Sequence, residues 1–231
     1  IDTSESKVHI ASRRSAEPIS GASVSLRCPA CRQNGTFSPF QRYSDLAIDA
    51  DLSVSGRDAR ATVTVGSRMC PNQACRHHVF FVVSNNNGQL LVSYPPETID
   101  FDSSDVPAPV VAALQEAIVC HSNDCYRAAA MMVRRTLEEL CHDRKATGPN
   151  LKERIRALSQ QVVLPKDLLD GLDHLRLLGN DAAHIEAKDY ASVGEPEVLA
   201  GIAVAKEVLK AVYQYKSLVD QLRALQKPAT P

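Results

Sequence analysis

The sequence predicts an α+β protein: a small, zinc-binding, β-rich N-terminal region followed by an all-α helical bundle. Three observations carry this. Four cysteines stand in two knuckles, Cys28-Pro-Ala-Cys31 and Cys70-Pro-Asn-Gln-Ala-Cys75. Short β-branched and aromatic runs separated by turn residues surround the second knuckle. Beyond Pro107, apolar residues recur at three- and four-residue steps, the period of a helix. The character changes near Tyr94-Pro95-Pro96, so the expected division is a flexible arm at 1–23, a β domain at 24–96 and the bundle at 97–231.

The β elements are expected at Ala61–Val65, Val79–Val83 and Leu90–Tyr94. Ser84-Asn-Asn-Asn-Gly88 between the last two reads as a hairpin loop, because Asn and Gly tolerate positive φ. Helices are expected from about Pro109 to Cys120, Asp124 to Arg144, Leu151 to Gln160, Pro165 onward, and Glu195 to Leu225. Asp124 and Asn150 are candidate N-caps, since their side-chain oxygens accept an orphan backbone N–H. Pro165 suits a first helical turn, where no hydrogen bond is lost. The last helix is longer than usual, which predicts a kink or a protruding end.

Composition narrows the functions. The chain has 231 residues, 26 Lys+Arg against 27 Asp+Glu, a net charge of −1 and 44% hydrophobic residues. These values exclude a disordered charged tail and argue against a broadly electropositive nucleic-acid clamp. No apolar run approaches the roughly 20 residues needed to span a bilayer, so no membrane association is expected.

The cysteine knuckles point to Zn²⁺, which favours four tetrahedral S or N ligands and is served by pairs of sulfurs on tight turns. Cys28, Cys31, Cys70 and Cys75 are the expected ligands, with His77 and His78 close enough to replace one of them. Disulfides would require an oxidising compartment and would leave three of the seven cysteines unpaired. Four protein ligands leave no open position, so the metal is expected to be structural. The knuckles are 38 residues apart (32–69), which calls for extra strands or a long loop between them. Cys120, Cys125 and Cys141 fall in the helical half and read as buried small hydrophobes. A zinc-bound quartet and three core thiols together suit a reducing cytoplasm.

The helix after Pro165 aligns Leu168, Leu172, Leu175, Gly179 and Ala183 as its core-facing stripe. Arg176, Asn180 and His184 follow at i, i+4 and i+8 beside it. A histidine can transfer a proton near neutral pH, an arginine can clamp phosphate, and an asparagine can orient either. The plain structural alternative is a histidine near a helix end and an Arg176 paired with Asp173 or Asp181.

Three segments resemble a known family, domain of unknown function 4145: Tyr126 to Leu140, Asn150 to Ile155, and Leu172 to His184. Gly179-Asn-Asp-Ala-Ala-His184 is the most specific of the matching runs, and the Cys-Pro-x-Cys knuckle resembles the family's frequent zinc-ribbon companion. The family is similar to the HEPN (higher eukaryotes and prokaryotes nucleotide-binding) superfamily. The resemblance implies an HEPN-like helical bundle, usually a homodimer, in toxins, abortive-infection and restriction-associated proteins. Active members are metal-independent RNA endonucleases whose motif places an arginine, often followed by a polar residue, a few residues ahead of a histidine. Here His184 matches the histidine and Asn180 the polar residue, while Gly179 stands in the arginine slot and Arg176 is the nearest arginine. The expected function is therefore a ribonuclease in antiviral or toxin-type defence, with His184, Arg176 and Asn180 at a dimer interface. The alternative is a non-catalytic module that binds nucleic acid or a protein partner of a restriction or defence enzyme. A cysteine-based hydrolase is a weaker third reading, and no phosphate-binding glycine loop or nucleophile elbow is present.

Overall fold

The computed structural model describes residues 9–21, 23–40, 44–54, 57–184 and 192–225. The chain divides into two compact units, 1–98 and 99–231, the first built on β-sheet and the second on helices.

The first unit contains β1 (His9–Ile19), β2 (Val24–Arg27), β3 (Asn34–Phe37), β4 (Asp45–Val54), β5 (Arg57–Met69), β6 (His78–Ser84) and β7 (Leu90–Tyr94). Five of these form one antiparallel sheet in the order β1-β4-β5-β6-β7, and β2-β3 form a separate hairpin. The turn between β6 and β7 lies where Asn and Gly predict it, with Gly88 at φ +69° and its amide bonded to the Ser84 carbonyl.

The arm expected at 1–23 is corrected by β1, which pairs with β4 along His9–Ile19. Register shifts between Ile10 and Ser12 and between Arg13 and Ser15 explain why the strand was illegible. Each bulge inserts a residue and resets the alternation of side chains, so no period of two survives along the strand. Residues 1–8 of the expected arm lie outside the described residues.

A fully buried ion pair ties β4 to β5. Arg68 donates from Nη1 to Asp45 Oδ1 at 2.7 Å and from Nη2 to Asp45 Oδ2 at 2.6 Å, both side chains being 0% exposed. Its guanidinium lies 4.5 Å over the Phe81 ring and also reaches the Ser67 carbonyl. Gly66 makes room for the carboxylate, since a Cβ there would come within 2.4 Å of Asp45 Oδ1.

The second unit contains α1 (Ala108–Ser122), α2 (Tyr126–Asp143), α3 (Leu151–Ser159), α4 (Lys166–Ala183), α5 (Glu195–Leu209) and α6 (Tyr215–Ala224). Its core joins Leu114, Val133, Leu137, Leu140, Leu158, Leu172, Leu175, Leu178, Ile202 and Leu209. Asn150 caps α3 as its side chain predicts, accepting the Glu153 amide at 3.0 Å. Asp124 does not cap α2. It adopts φ +58° in the tight turn closing α1 and accepts the Tyr126 hydroxyl at 3.0 Å, leaving Cys125 as the cap residue. Cys125 is therefore exposed, against the expectation of a core thiol, and Cys120 is half-buried; Cys141 is buried. The long final helix is interrupted by a π-helical turn, Lys210–Gln214. Buried Gln214 donates from that turn to the carbonyls of Asp102 and Ser104, both at 3.0 Å.

Replacing Arg68 with Met should cost about 3–5 kcal/mol, because the Asp45 carboxylate is left buried and unpaired. Urea unfolding followed by hydrogen exchange at β4 and β5 would measure it. The Asp45→Leu/Arg68→Met double variant should recover much of the loss; a loss as large as that of the single variant would refute the pairing energetics.

Candidate metal centre and helical site

The four knuckle cysteines converge. Their sulfurs all lie within 4.8 Å of one another, with Cys28 to Cys75 and Cys31 to Cys70 each at 3.7 Å. A tetrahedron of ~2.3 Å metal–sulfur bonds has sulfurs about 3.8 Å apart, whereas a disulfide needs ~2.0 Å. The spacing fits shared coordination of a metal ion, and all seven cysteines are free thiols.

Each knuckle is shaped by its own backbone. The Cys28 amide donates to the Gln33 carbonyl, and the Arg32 amide returns to the Cys28 carbonyl, with Arg32 at φ +61°. In the second knuckle the Cys70 amide donates to the His77 carbonyl, and the Cys75 and Arg76 amides both reach the Asn72 carbonyl, with Arg76 at φ +47°. Asn72 Nδ2 donates to Gln33 Oε1 at 2.9 Å, joining the knuckles. The interval between them is filled by β3, β4 and β5, as their wide separation requires. His77 and His78 are not in the cluster: among the described residues its ligand atoms are all sulfurs, and His78 stacks on Phe40.

The thiols differ sharply without a cation. The Gln33 amide donates to the Cys31 sulfur and holds its pKa at about 7. Burial pushes Cys70 up to about 12. The His77 amide lowers Cys75, but burial and the Cys28 and Cys31 sulfurs outweigh it, and the thiol is raised. Four thiolates this close repel one another, so a divalent cation is the group that lets all four ionise. The donor set and spacing are compatible with zinc.

In the helical unit, Arg176 and Asn180 lie on α4 and are half-buried, while exposed His184 is the residue that ends it. The backbone turns extended there (φ −127°, ψ 125°), so the i+8 line projected along the helix breaks at His184. Its amide still donates to the Asn180 carbonyl at 3.0 Å. Arg176 Nε donates to Asp173 Oδ1 at 2.8 Å, the i, i+3 pair that sequence spacing allows, and this bond holds the Asp173 carboxyl below its usual range. Ala183, expected on the core stripe, is exposed, and Leu178 joins the core in its place.

Gly179 has a clear physical role. A Cβ there would meet Arg134 Cβ of α2 at 2.4 Å and the Ala130 carbonyl oxygen at 3.2 Å. Arg134 lies directly over the glycine, donating from Nη1 to the Arg176 carbonyl at 3.1 Å and pairing with Glu138 at 3.3 Å. Local spacing offers Arg134 the i, i+4 pair with Glu138. Its link to α4 was missed because it spans 42 residues and leaves no periodic trace.

Residues 115–227 match the model of a protein family described as Domain of unknown function (DUF4145), which supports the likeness read from the motifs of the helical half. No curated protein and no solved structure matches the chain significantly.

One outcome follows from the Gly179 contact. Gly179→Ala would stabilise an open helix by about 1 kcal/mol. Here it should instead destabilise by roughly 1–3 kcal/mol through overpacking against Arg134, a change of sign that thermal melting would reveal.

Proposed function

We propose, from the DUF4145 match over residues 115–227, that the chain is an HEPN-like, metal-independent RNA endonuclease of antiviral or toxin-type defence, acting as a homodimer with a zinc-ribbon N-terminal domain. The observation that carries the reading is the end of α4, where exposed His184 closes a helix that also bears Asn180 and Arg176. Arg134 supports it further, because its aliphatic stem packs over Gly179, the position where the resemblance places an arginine, and its guanidinium reaches the Arg176 carbonyl.

In this reading His184 withdraws the proton of an RNA 2′-hydroxyl. The 2′-oxygen then bonds to the adjacent phosphorus, the bond to the 5′-oxygen breaks, and the leaving oxygen takes a proton from an imidazolium or water. The products are a 2′,3′-cyclic phosphate and a 5′-hydroxyl. Arg176 and Arg134 offset the charge building on the phosphoryl oxygens, and Asn180 orients the reacting groups. A second copy brings two such sites together. Exposed Leu218, Leu222 and Leu225 along α6 supply apolar surface for such pairing.

The zinc is structural: Cys28, Cys31, Cys70 and Cys75 would hold it, and it would supply cross-linking and charge neutralisation. The free thiols suit a cytoplasmic location. Among the described residues no helix is long and apolar enough to cross a membrane.

A second reading, a non-catalytic module binding nucleic acid or a defence-enzyme partner, is favoured by the Arg176–Asp173 bond, which occupies the guanidinium that would otherwise serve phosphate. One experiment separates the two. Wild type should cut RNA in EDTA and run as a dimer by light scattering, and His184→Ala should abolish cutting while leaving the dimer. Salt-sensitive RNA binding without cutting would support the binding module. Purified protein should carry one zinc per chain; clearly less would refute the zinc assignment.

A further inference from the structure

The β-sheet unit carries a second candidate site on the face away from its buried core. Side chains of β6 alternate: Val79 and Phe81 are 0% and 1% exposed, while Phe80 is 46% exposed. Phe80 pairs directly across from Tyr94 of β7, which is 67% exposed, so the two rings project on the same side of the sheet. His78, two residues before Phe80, shares that face and stacks on the exposed Phe40 ring, with centroids 5.1 Å apart at 29°. Only 5% of the chain is aromatic, yet three of those rings are left in solvent here.

An arginine stands beside the rings. Arg76 and His77 at the end of the second knuckle line a cleft of about 570 Å³ with Cys75, His78, Phe80 and Tyr94, and no carboxylate among the described residues lines it. Arg76 is exposed and makes no ion pair among the described residues. His77 Nε2 has no hydrogen-bond partner among the described residues. The zinc-ligand candidate Cys75 also lines the cleft, so among the described residues Arg76 is its one fixed cation beside the rings.

We propose that this face is a stacking platform for single-stranded nucleic acid, with bases on Phe80 and Tyr94 and the backbone phosphates drawn to Arg76. Exposed rings beside a cation recognise unstacked bases, whose π faces are hidden in a duplex. Aliphatic contact alone would leave the Arg76 guanidinium unused; a strand with flat bases and phosphates engages both the rings and the arginine. The site lies wholly in the first unit and stands independently of whether His184 cuts RNA.

The test uses the zinc-loaded full chain and a short fluorescein-labelled oligothymidylate, which has no 2′-hydroxyl and reports binding apart from cleavage. Fluorescence anisotropy should show salt-sensitive binding, weakened about tenfold or more by Phe80→Ala or Tyr94→Ala and about a hundredfold by both. Arg76→Ala should lower the salt slope by about one phosphate. Melting temperature and zinc content verify that each variant folds. Phe80→Leu/Tyr94→Leu, which keeps apolar area without π faces, should bind nearly as weakly as the double alanine variant. Failure of wild type to bind, competition by duplex equal to that by single strand, or full binding by either double variant would overturn the proposal. So would a change in light-scattering mass with unchanged oligonucleotide binding, which would mark the face as a contact between copies.

Discussion

The first unit depends on the convergence of four sulfurs from two distant knuckles. Its cluster of buried apolar residues around the knuckles is Cys28, Phe37, Cys70 and Val79, so two of the presumed ligands are also half of that core. A small β unit buries too little apolar surface to hold its strands by packing alone, and a metal cross-link is a general remedy. The sulfur geometry explains the length of the intervening chain as well. The turn of the β2-β3 hairpin presents one knuckle and the β5-to-β6 turn presents the other, so the long β4-β5 ribbon must be accommodated between them.

The buried Arg68–Asp45 pair serves the same sheet differently. Fully desolvated charges contribute little net stability unless every hydrogen bond is made, but removing one partner strands the other. Gly66 and Phe81 frame the pair, one by leaving space for the carboxylate and the other by stacking beneath the guanidinium. This arrangement specifies the register of β4 against β5 in a ribbon whose neighbouring strand carries two bulges.

In the helical unit the close crossing of α2 and α4 is the corresponding constraint. Gly179 admits the Arg134 side chain, and the same contact brings a guanidinium to the Arg176 carbonyl beside Asn180. The glycine of the α4 polar run thus coincides with a packing contact with an arginine from a different helix.

Local chemistry was legible from sequence. Cysteine spacing named the four converging sulfurs, helical periodicity named Leu172 and Leu175 as core, and Asn150 announced its own cap. Each of these is a property of a few neighbouring residues. Bulges erased the period of β1, so that strand was not visible, and Asp124 yielded its capping role to a turn that requires positive φ. The tertiary structure alone decided which distant residues meet: Asp45 with Arg68, Arg134 with Gly179, and Phe80 with Tyr94. The reason is physical. Periodicity and spacing record the geometry of one element, whereas a buried ion pair, a helix crossing and a cross-strand pair depend on the register between elements, which no single segment encodes.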